Sequence, residues 1–497
     1  MILKDYTSTL LNQAEGTLIA QTTNVGSWEL LGYNSPVIPI HAALLSTGKV
    51  FFFSGAGLDR NNTSCTNCSA VWDVSSGTFS RPVTPLDAAG IPVNLFCAGQ
   101  SFRPNGQLMV AGGTLTYNPF RGSTSALFFD PSTETWIKVP SMNSGRWYPT
   151  LVTLGSGRIL AVSGLDENGN LNLIPEIYVS ATGWTAFSQP TTSRFPLYSG
   201  LLLMQDGRLF YSGAYFENNQ GVTPRILTLP AKFTQAITEQ AVPGLVAQDN
   251  RNQAASVLLP PAQDQKVMVI GGGTEPYNGV TTSSVNIVDL KASSPTYTVA
   301  APLNYGRMHH NAVLLPDRTV FVCNGSTTGE DPTTSALPAE IYNPATDTWT
   351  VVAAQSIPRL YHSTALLLPD GRVVAAGSHP SLTVQELRLE IYSPAYISQT
   401  RPVIQSAPES VSYGRRITLQ TSQATSIKWV SLIRPMATTH ACDTEQRLVD
   451  VPIASKTSTS LTVTVTTNRN LAPPGWYMLF INDENGVPSV AKWIQLT

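Results

Sequence analysis

The chain has 497 residues, 42% hydrophobic and 8% aromatic, enough apolar material for one large domain or several small ones. Charged residues make up only 12%, about half the usual share of roughly 25%. The 30 basic side chains nearly balance 32 acidic ones, a net charge of −2, which excludes the basic stripe of a nucleic-acid protein and the charge-rich repeat of a long coiled coil.

The chain opens Met1-Ile2-Leu3-Lys4-Asp5, without the basic-then-apolar order of an export signal. No later run approaches the stretch of about 18 apolar residues that spans a bilayer, so no transmembrane segment is expected. Either the protein stays inside the cell or an export signal has been trimmed away; low Lys and Glu content with abundant Ser and Thr favours a secreted or extracellular protein.

From His41 onward one pattern recurs seven times: a short apolar strand, a turn usually holding Gly, a second apolar strand, then a small residue. The copies are HAALLSTGKVFFFSGAG, CAGQSFRPNGQLMVAGG, WYPTLVTLGSGRILAVSG, LYSGLLLMQDGRLFYSGA, QAASVLLPPAQDQKVMVIGGG, HNAVLLPDRTVFVCNG and YHSTALLLPDGRVVAAGS. They start at His41, Cys97, Trp147, Leu197, Gln253, His310 and Tyr361, close to the period of about 50 expected of kelch-type propeller blades. Between them lie outer-strand signatures such as EIYNPATDTW at Glu340–Trp349. Residues 26–31, Gly-Ser-Trp-Glu-Leu-Leu, are placed to supply a strand that completes the last blade. The period stops near Ala395, and the tail reads as short strands (RRITLQTS, SIKWVSLIR, QRLVDVPI, SLTVTVTT, GWYMLFIND, SVAKWIQL) that suit an immunoglobulin-like sandwich. The expectation is an all-β protein: a seven-bladed kelch-type β-propeller over 1–398, then an immunoglobulin-like β-sandwich over 399–497.

Aligning the blades on the turn glycine brings out one position. Nine residues before Gly106, Gly157, Gly207 and Gly371 stand Cys97, Tyr148, Tyr198 and His362, with Tyr361 beside the last. In the sixth blade Arg318 takes the turn position, and nine residues earlier is His309. This position opens the innermost strand, so its copies ring one end of the propeller axis. The chain has only 6 histidines, and two of them fall here. Imidazole with phenolate suits copper or iron, and a neighbouring sulfur adds redox chemistry. The plainer alternative is a wet channel in which Tyr and His bind water, with Cys97 as a buried small hydrophobe.

Four motifs go further: Phe96-Cys97; Arg146-Trp147-Tyr148-Pro149-Thr150; Tyr361-His362-Ser363; and Thr439-His440 followed by Asp443-Thr444-Glu445-Gln446-Arg447. From about residue 26 to its end the sequence resembles the copper radical oxidases, the family of galactose oxidase and glyoxal oxidase. The resemblance implies one copper ion with Tyr148, His362 and His440 as equatorial ligands and Tyr361 axial. It also implies a thioether joining Cys97 to Tyr148, which together form the radical cofactor. A loop of the sandwich must then reach the propeller axis to present His440.

Two-electron oxidation needs such parts. Copper stores one oxidising equivalent, and no dinucleotide motif such as GxGxxG after a strand is present to store more. A thioether-substituted tyrosine can hold the second, Tyr361 can take the substrate's hydroxyl proton, and the metal acts as a Lewis acid. The expected activity is oxidation of a primary alcohol or aldehyde by O2 to the aldehyde or carboxylic acid with release of H2O2. A galactose or other carbohydrate oxidase, and a non-catalytic kelch propeller binding a glycan or a protein partner, are the alternatives. By position, Arg194, Tyr198 and Tyr277 match the substrate mouth of galactose oxidase-like enzymes, with Asn278 in place of a longer amide. The tryptophan that stacks on the radical tyrosine there has no counterpart in Ser163-Gly164-Leu165-Asp166, and Gly329 stands where a bulky aromatic is expected. Both departures favour small alcohols or aldehydes over a galactoside, handled by a monomer.

The remaining signals are local. Cys65-Thr66-Asn67-Cys68 reads as a loop disulfide of an oxidising compartment, because a zinc site would need a second pair. Cys323 lies within an apolar strand and is expected to be buried; Cys442 is assigned no role. His41, His309, His310 and His379 are read as channel or surface residues. Asn62, Asn67 and Asn324 head glycosylation sequons.

Overall fold

The computed structural model describes residues 25–56, 67–216, 222–275, 278–378 and 385–497. Its inner strands are buried at every position: His41–Leu44, Val50–Phe53, Ala98–Phe102 and Leu108–Gly112. Strands so largely apolar must be covered on both faces, and here each sheet packs between two others. Outermost strands such as Thr135–Lys138 and Thr78–Ser80 are largely exposed.

Among the described residues the sheets up to Ser393 comprise seven blade sheets, six of four strands and one of six, and a two-stranded ribbon of Thr114–Tyr117 with Phe120–Gly122. Within each blade consecutive strands pair antiparallel, as in Thr150–Thr153, Ile159–Val162, Glu176–Val179 and Gly183–Ala186 of the third. The seventh blade is closed by the start of the described chain. Ser27–Asn34 pairs antiparallel with Arg388–Ser393, Ser27 opposite Ser393, which is the closing strand read from residues 26–31. Stacked rings bridge neighbouring blades, Phe51 on Phe129 at 3.8 Å and Phe321 on Tyr392 at 4.4 Å.

The turn alignment holds in the backbone. Gly106, Gly157, Gly207 and Gly371 all have φ between +78° and +90°, and Arg318 adopts +72° in their place. A non-glycine residue is strained there. Arg318 is held by an ion pair with Asp450 and lies over the Trp429 ring at 4.2 Å, so the sandwich braces the sixth blade's irregular turn.

Beyond Pro394 a five-stranded sheet runs in the order Ser410–Val411, Lys492–Leu496, Gly475–Asp483, Ile427–Ile433, Leu448–Asp450. A three-stranded sheet of Arg416–Gln420, Ser460–Thr464 and Ile453–Lys456 accompanies it. Between the strands ending at Ile433 and starting at Leu448 the chain leaves this sandwich. Ala437–Thr439 and Cys442–Asp443 form a hairpin that adds itself to the inner edge of the first blade, with Thr439 opposite His41. That excursion makes the first sheet six-stranded.

Candidate metal centre

Six residues that open innermost strands share a left-handed backbone: Cys97 (φ 62°), Tyr148 (64°), Tyr198 (40°), Gln253 (54°), His309 (60°) and His362 (64°). Each such non-glycine residue costs about 1–3 kcal/mol and persists only where its surroundings hold it. Part of the hold runs around the ring itself. Tyr148 N–H donates to Cys97 O (2.9 Å), Tyr198 N–H to Tyr148 O (3.1 Å) and His309 N–H to Gln253 O (3.1 Å).

A second brace lies just upstream. Arg146, Arg307 and Arg359 are fully buried and pair with Glu176 (3.1 Å), Glu340 (2.8 Å) and Glu390 (3.2 Å) on the third strands of their blades. In the fifth blade Arg251 meets Asn286 instead. The sequence reading missed these pairs, although an Arg two or three residues before each ring position was the signal available.

At the ring's centre the donors converge. The Cys97 sulfur and one ring nitrogen each of His362 and His440 lie within 4.8 Å of one another. His440 Nε2 is 3.1 Å from the Tyr148 hydroxyl, which is hydrogen-bonded to that of Tyr361. Cys97, Tyr148, His362 and His440 are all buried. Burial pushes the Cys97 thiol and the Tyr148 phenol well above their ordinary values, and for Tyr148 the nearby Cys97, Tyr361 and Tyr198 add to it. Two imidazoles and two phenols gathered where a bare anion is disfavoured form a donor set that a copper ion fits, because the cation offsets that penalty.

His440 reaches this point by turn geometry. His440 (φ 50°) and Ala441 (φ 60°) are the two central residues of the hairpin, both left-handed, as a type I′ turn requires. The flanking Asp443-Thr444-Glu445-Gln446 segment fastens the hairpin to several blades. Asp443 accepts from Ala437 N–H (3.1 Å), Glu445 N–H (2.7 Å) and Gln446 N–H (2.9 Å). Thr444 donates to Leu151 O (2.7 Å), Glu445 accepts from Phe102 N–H (3.2 Å), and Gln446 donates to Ala312 O (2.9 Å). Thr439 sets the ring nitrogen: its hydroxyl donates to Ile40 O (2.9 Å) and lies 2.6 Å from His440 Nδ1. One hydroxyl proton cannot serve both, so Nδ1–H donates to Thr439 and the Nε2 lone pair faces the donors.

Aromatic rings enclose Tyr148. Phe120, Trp147, Tyr148 and Tyr198 form a stack, with successive centroids 4.4, 3.9 and 4.5 Å apart. Trp147 therefore supplies the stacked indole that Ser163–Asp166 lack. Phe216 meets Tyr148 edge-on at 4.8 Å and lies parallel to Tyr361 at 5.6 Å.

Other expectations need correction. Tyr198 is 3% exposed and its hydroxyl donates to Ala98 O (2.8 Å), so it packs under Tyr148 rather than standing at a rim. Of the channel and surface alternatives for His41 and His310, burial excludes the surface one: both are fully buried, His41 stacked on Phe53 at 4.3 Å. His309 is buried with its ring 5.6 Å from that of Tyr361. Arg194 is half-buried and its carbonyl accepts from Arg225 (2.8 Å). Gly329 has φ 46° and its carbonyl accepts from Ser326. Cys68 is disulfide-bonded, while Cys97, Cys323 and Cys442 are free. Cys65, Tyr277 and His379 lie outside the described residues.

Comparisons with known proteins agree with this architecture. Residues 55–396 match the family model of the glyoxal oxidase N-terminus, and 401–496 that of the galactose oxidase-like early set domain. A galactose oxidase of Gibberella zeae is 29% identical over 493 residues, spanning 93% of this chain and 69% of that protein. Aldehyde oxidase GLOX1 of Arabidopsis thaliana is 26% identical over 95% of this chain and 84% of its own length. Among solved structures, a fungal alcohol oxidase of the AA5 family in complex with copper superposes with a TM-score of 0.81 at 25% identity, covering 95% of this chain and all of the other.

Proposed function

The chain belongs to the copper radical oxidases, the family of glyoxal oxidase and galactose oxidase, and from that premise we propose how its own residues divide the work. The enzyme is a copper-dependent oxidase of alcohols or aldehydes that uses O2. In our reading Tyr148, Tyr361, His362 and His440 would hold the copper, and Cys97 is joined to Tyr148 by a thioether. The convergence of these five residues from four separate parts of the chain is the observation that carries it.

Copper, when bound, supplies Lewis acidity and one of the two oxidising equivalents. The protein does the rest. Tyr361, the half-buried member of the hydroxyl pair, accepts the substrate's O–H proton. Tyr148 Oη then takes a hydrogen atom from the adjacent carbon, its ring made easier to oxidise by the Cys97 sulfur. Tyr198 stays reduced because its hydroxyl donates only to the Ala98 carbonyl, which is no base. The aromatic stack keeps water from the ring that carries the radical. The sums are RCH2OH + O2 → RCHO + H2O2 for an alcohol and RCH(OH)2 + O2 → RCOOH + H2O2 for a hydrated aldehyde.

We assign residues 1–398 to the propeller and 399–497 to the sandwich that supplies His440, supported by the run of seven sheets and by the two matched segments. Small alcohols or aldehydes are our substrate class in preference to a galactoside, with Arg194 and Tyr277 as mouth residues. We further read the protein as a secreted monomer. Its disulfide at Cys68 supports an oxidising compartment, and no helix of the described residues is long and apolar enough to cross a membrane. Peroxide release from a panel of alcohols and aldehydes, with and without copper loading, tests the function. Tyr148→Phe and Cys97→Ser should each cut turnover by about 100-fold or more, the range of a lost reacting group. Intact-mass analysis after reduction of the Cys68 disulfide should find the wild type two hydrogens light and Cys97→Ser at full mass.

A further inference from the structure

Gln100 stands on the innermost strand of the second blade, Ala98–Phe102, three residues beyond Cys97. Its side chain leaves that blade. Nε2 donates to Thr438 O (2.9 Å), on the hairpin that carries His440, and to Ala42 O (3.3 Å) on the first blade. Ala42 and Thr438 lie opposite each other in the ladder that adds the hairpin to that blade, so one amide group spans the seam between them. Both partners are carbonyls, which only accept, and this fixes which end of the amide is the nitrogen.

Gln100 is 5% exposed, and Oε1 meets no hydrogen-bonding partner among the described residues. A buried acceptor left alone is unfavourable, so the amide acts through its two N–H bonds. Farther along the same strand Ser101 and Phe102 meet Glu445, beyond the hairpin's end. Gln100 lies nearer the donors than that tie: its own position is three residues from Cys97, and its partner Thr438 is two from His440. Thr439 grips the first blade directly at Ile40 O, and Gln100 clasps hairpin and blade together one residue earlier.

We propose that Gln100 is a positioning residue that sets Cys97 and His440 in register, and that thioether formation and copper binding both depend on it. Cys97 (φ 62°) and His440 (φ 50°) each hold a left-handed backbone that persists only where the surroundings impose it. Their donor atoms must nevertheless meet within 4.8 Å, from segments of separate sheets. Joining Cys97 to Tyr148 breaks the thiol S–H and one ring C–H, makes one C–S bond, and passes two electrons and two protons to O2 as H2O2. Such a step is sensitive to where the sulfur stands, since a misplacement of about 1 Å can cost about 100-fold in rate. The inference rests on the oxidase reading above and adds to it a residue outside the donor set.

Gln263 supplies the control. It joins the fifth blade to the sandwich, Nε2 donating to Asp450 O (2.8 Å) and Oε1 accepting from Asp450 N–H (3.1 Å), away from the 437–443 hairpin. The test starts from copper-free protein, given copper and air and followed by intact mass after reduction of the Cys68 disulfide, with copper affinity measured by chelator competition. Gln100→Met keeps the length and loses the donors. It should slow the loss of two hydrogens about 10- to 100-fold and weaken copper binding about 10-fold or more. Gln263→Met should change either by less than about 2-fold, whatever it does to the thermal midpoint. Gln100→Asn, an amide one methylene too short to keep both bonds, carries the same expectation should the methionine variant not fold. A Gln100 variant with the wild-type thioether rate and copper affinity would overturn the proposal. Losses in the Gln100 and Gln263 variants that track their thermal midpoints alike would overturn it too, in favour of a structural role. Wild type that binds copper and never becomes two hydrogens lighter would overturn the thioether reading itself, so the two failures are distinguishable.

Discussion

The rings of Trp147 and Tyr148, consecutive in the chain, lie parallel within 8° with centroids 3.9 Å apart. In an extended strand, neighbouring side chains point to opposite faces and cannot stack. The left-handed φ of Tyr148 folds its ring back onto the indole. Trp147→Ala removes a stacked ring that favours the electron-poor oxidised form over the reduced one, so the ratio of oxidised to reduced Tyr148 should fall, by about 10-fold at most, the limit in which the whole of a contact worth about 0.5–1.5 kcal/mol is made in the oxidised form alone. Trp147→Phe should keep most of it. Redox titration followed by the radical's optical or EPR signal checks this, and an unchanged midpoint in the alanine variant would refute it.

Thr439 fixes the tautomer of His440 through its bond to Ile40. Thr439→Val keeps the shape and removes the acceptor, while Thr439→Ser keeps both hydroxyl functions. Copper affinity of the valine variant should fall about 10- to 100-fold, the usual range for an outer partner of a ligating histidine, and serine should restore it. Competition with a copper chelator measures this. Equal affinities for valine and serine would show that the hydroxyl does not matter.

Glu330 makes the stability of the fold depend on pH. Burial, with the Glu275 charge nearby, raises its carboxyl from the ordinary 4.5 to about 8. The native state therefore binds this proton more tightly than the unfolded chain. Its contribution is full below about 4.5 and is lost as pH rises through about 8. Glu330→Gln should melt higher than wild type at pH 8.5 and show no such advantage at pH 4. Thermal midpoints across that range decide it; parallel curves would be evidence against.

The buried Arg146–Glu176 pair predicts a cost that depends on which partner is lost. Glu176→Ala leaves a buried guanidinium alone and should destabilise by about 3–5 kcal/mol, whereas the double variant Arg146→Met/Glu176→Leu should recover much of that. Denaturant melts of the two variants give the comparison. A double variant no more stable than the single would contradict this.

Much of this architecture is legible in sequence because it repeats. Cys97, Tyr148, His309 and His362 stand out once the turn residue is used as a ruler, and even Arg318 keeps its place in that ruler. What escapes is whatever depends on the sign of a single φ or on which side of the ring a side chain falls. Trp147 was invisible as a stacking partner because sequence gives no hint that Tyr148 turns back on it. Tyr198 looked like a rim residue because its offset matches, while the bond to Ala98 that draws it beneath Tyr148 is a cross-blade contact. The sandwich's strands were readable from alternation, but not that 437–443 would leave it and join the first blade.

That last excursion dictates an order of assembly. Thr439 pairs with His41, about four hundred residues away, so the edge that receives His440 is synthesised well before its visitor. A nascent polypeptide carries Cys97, Tyr148, Tyr361 and His362 long before it carries the histidine that completes them. A chain cut short before His440 would lack one member of the proposed donor set, so the oxidising centre could not form in it.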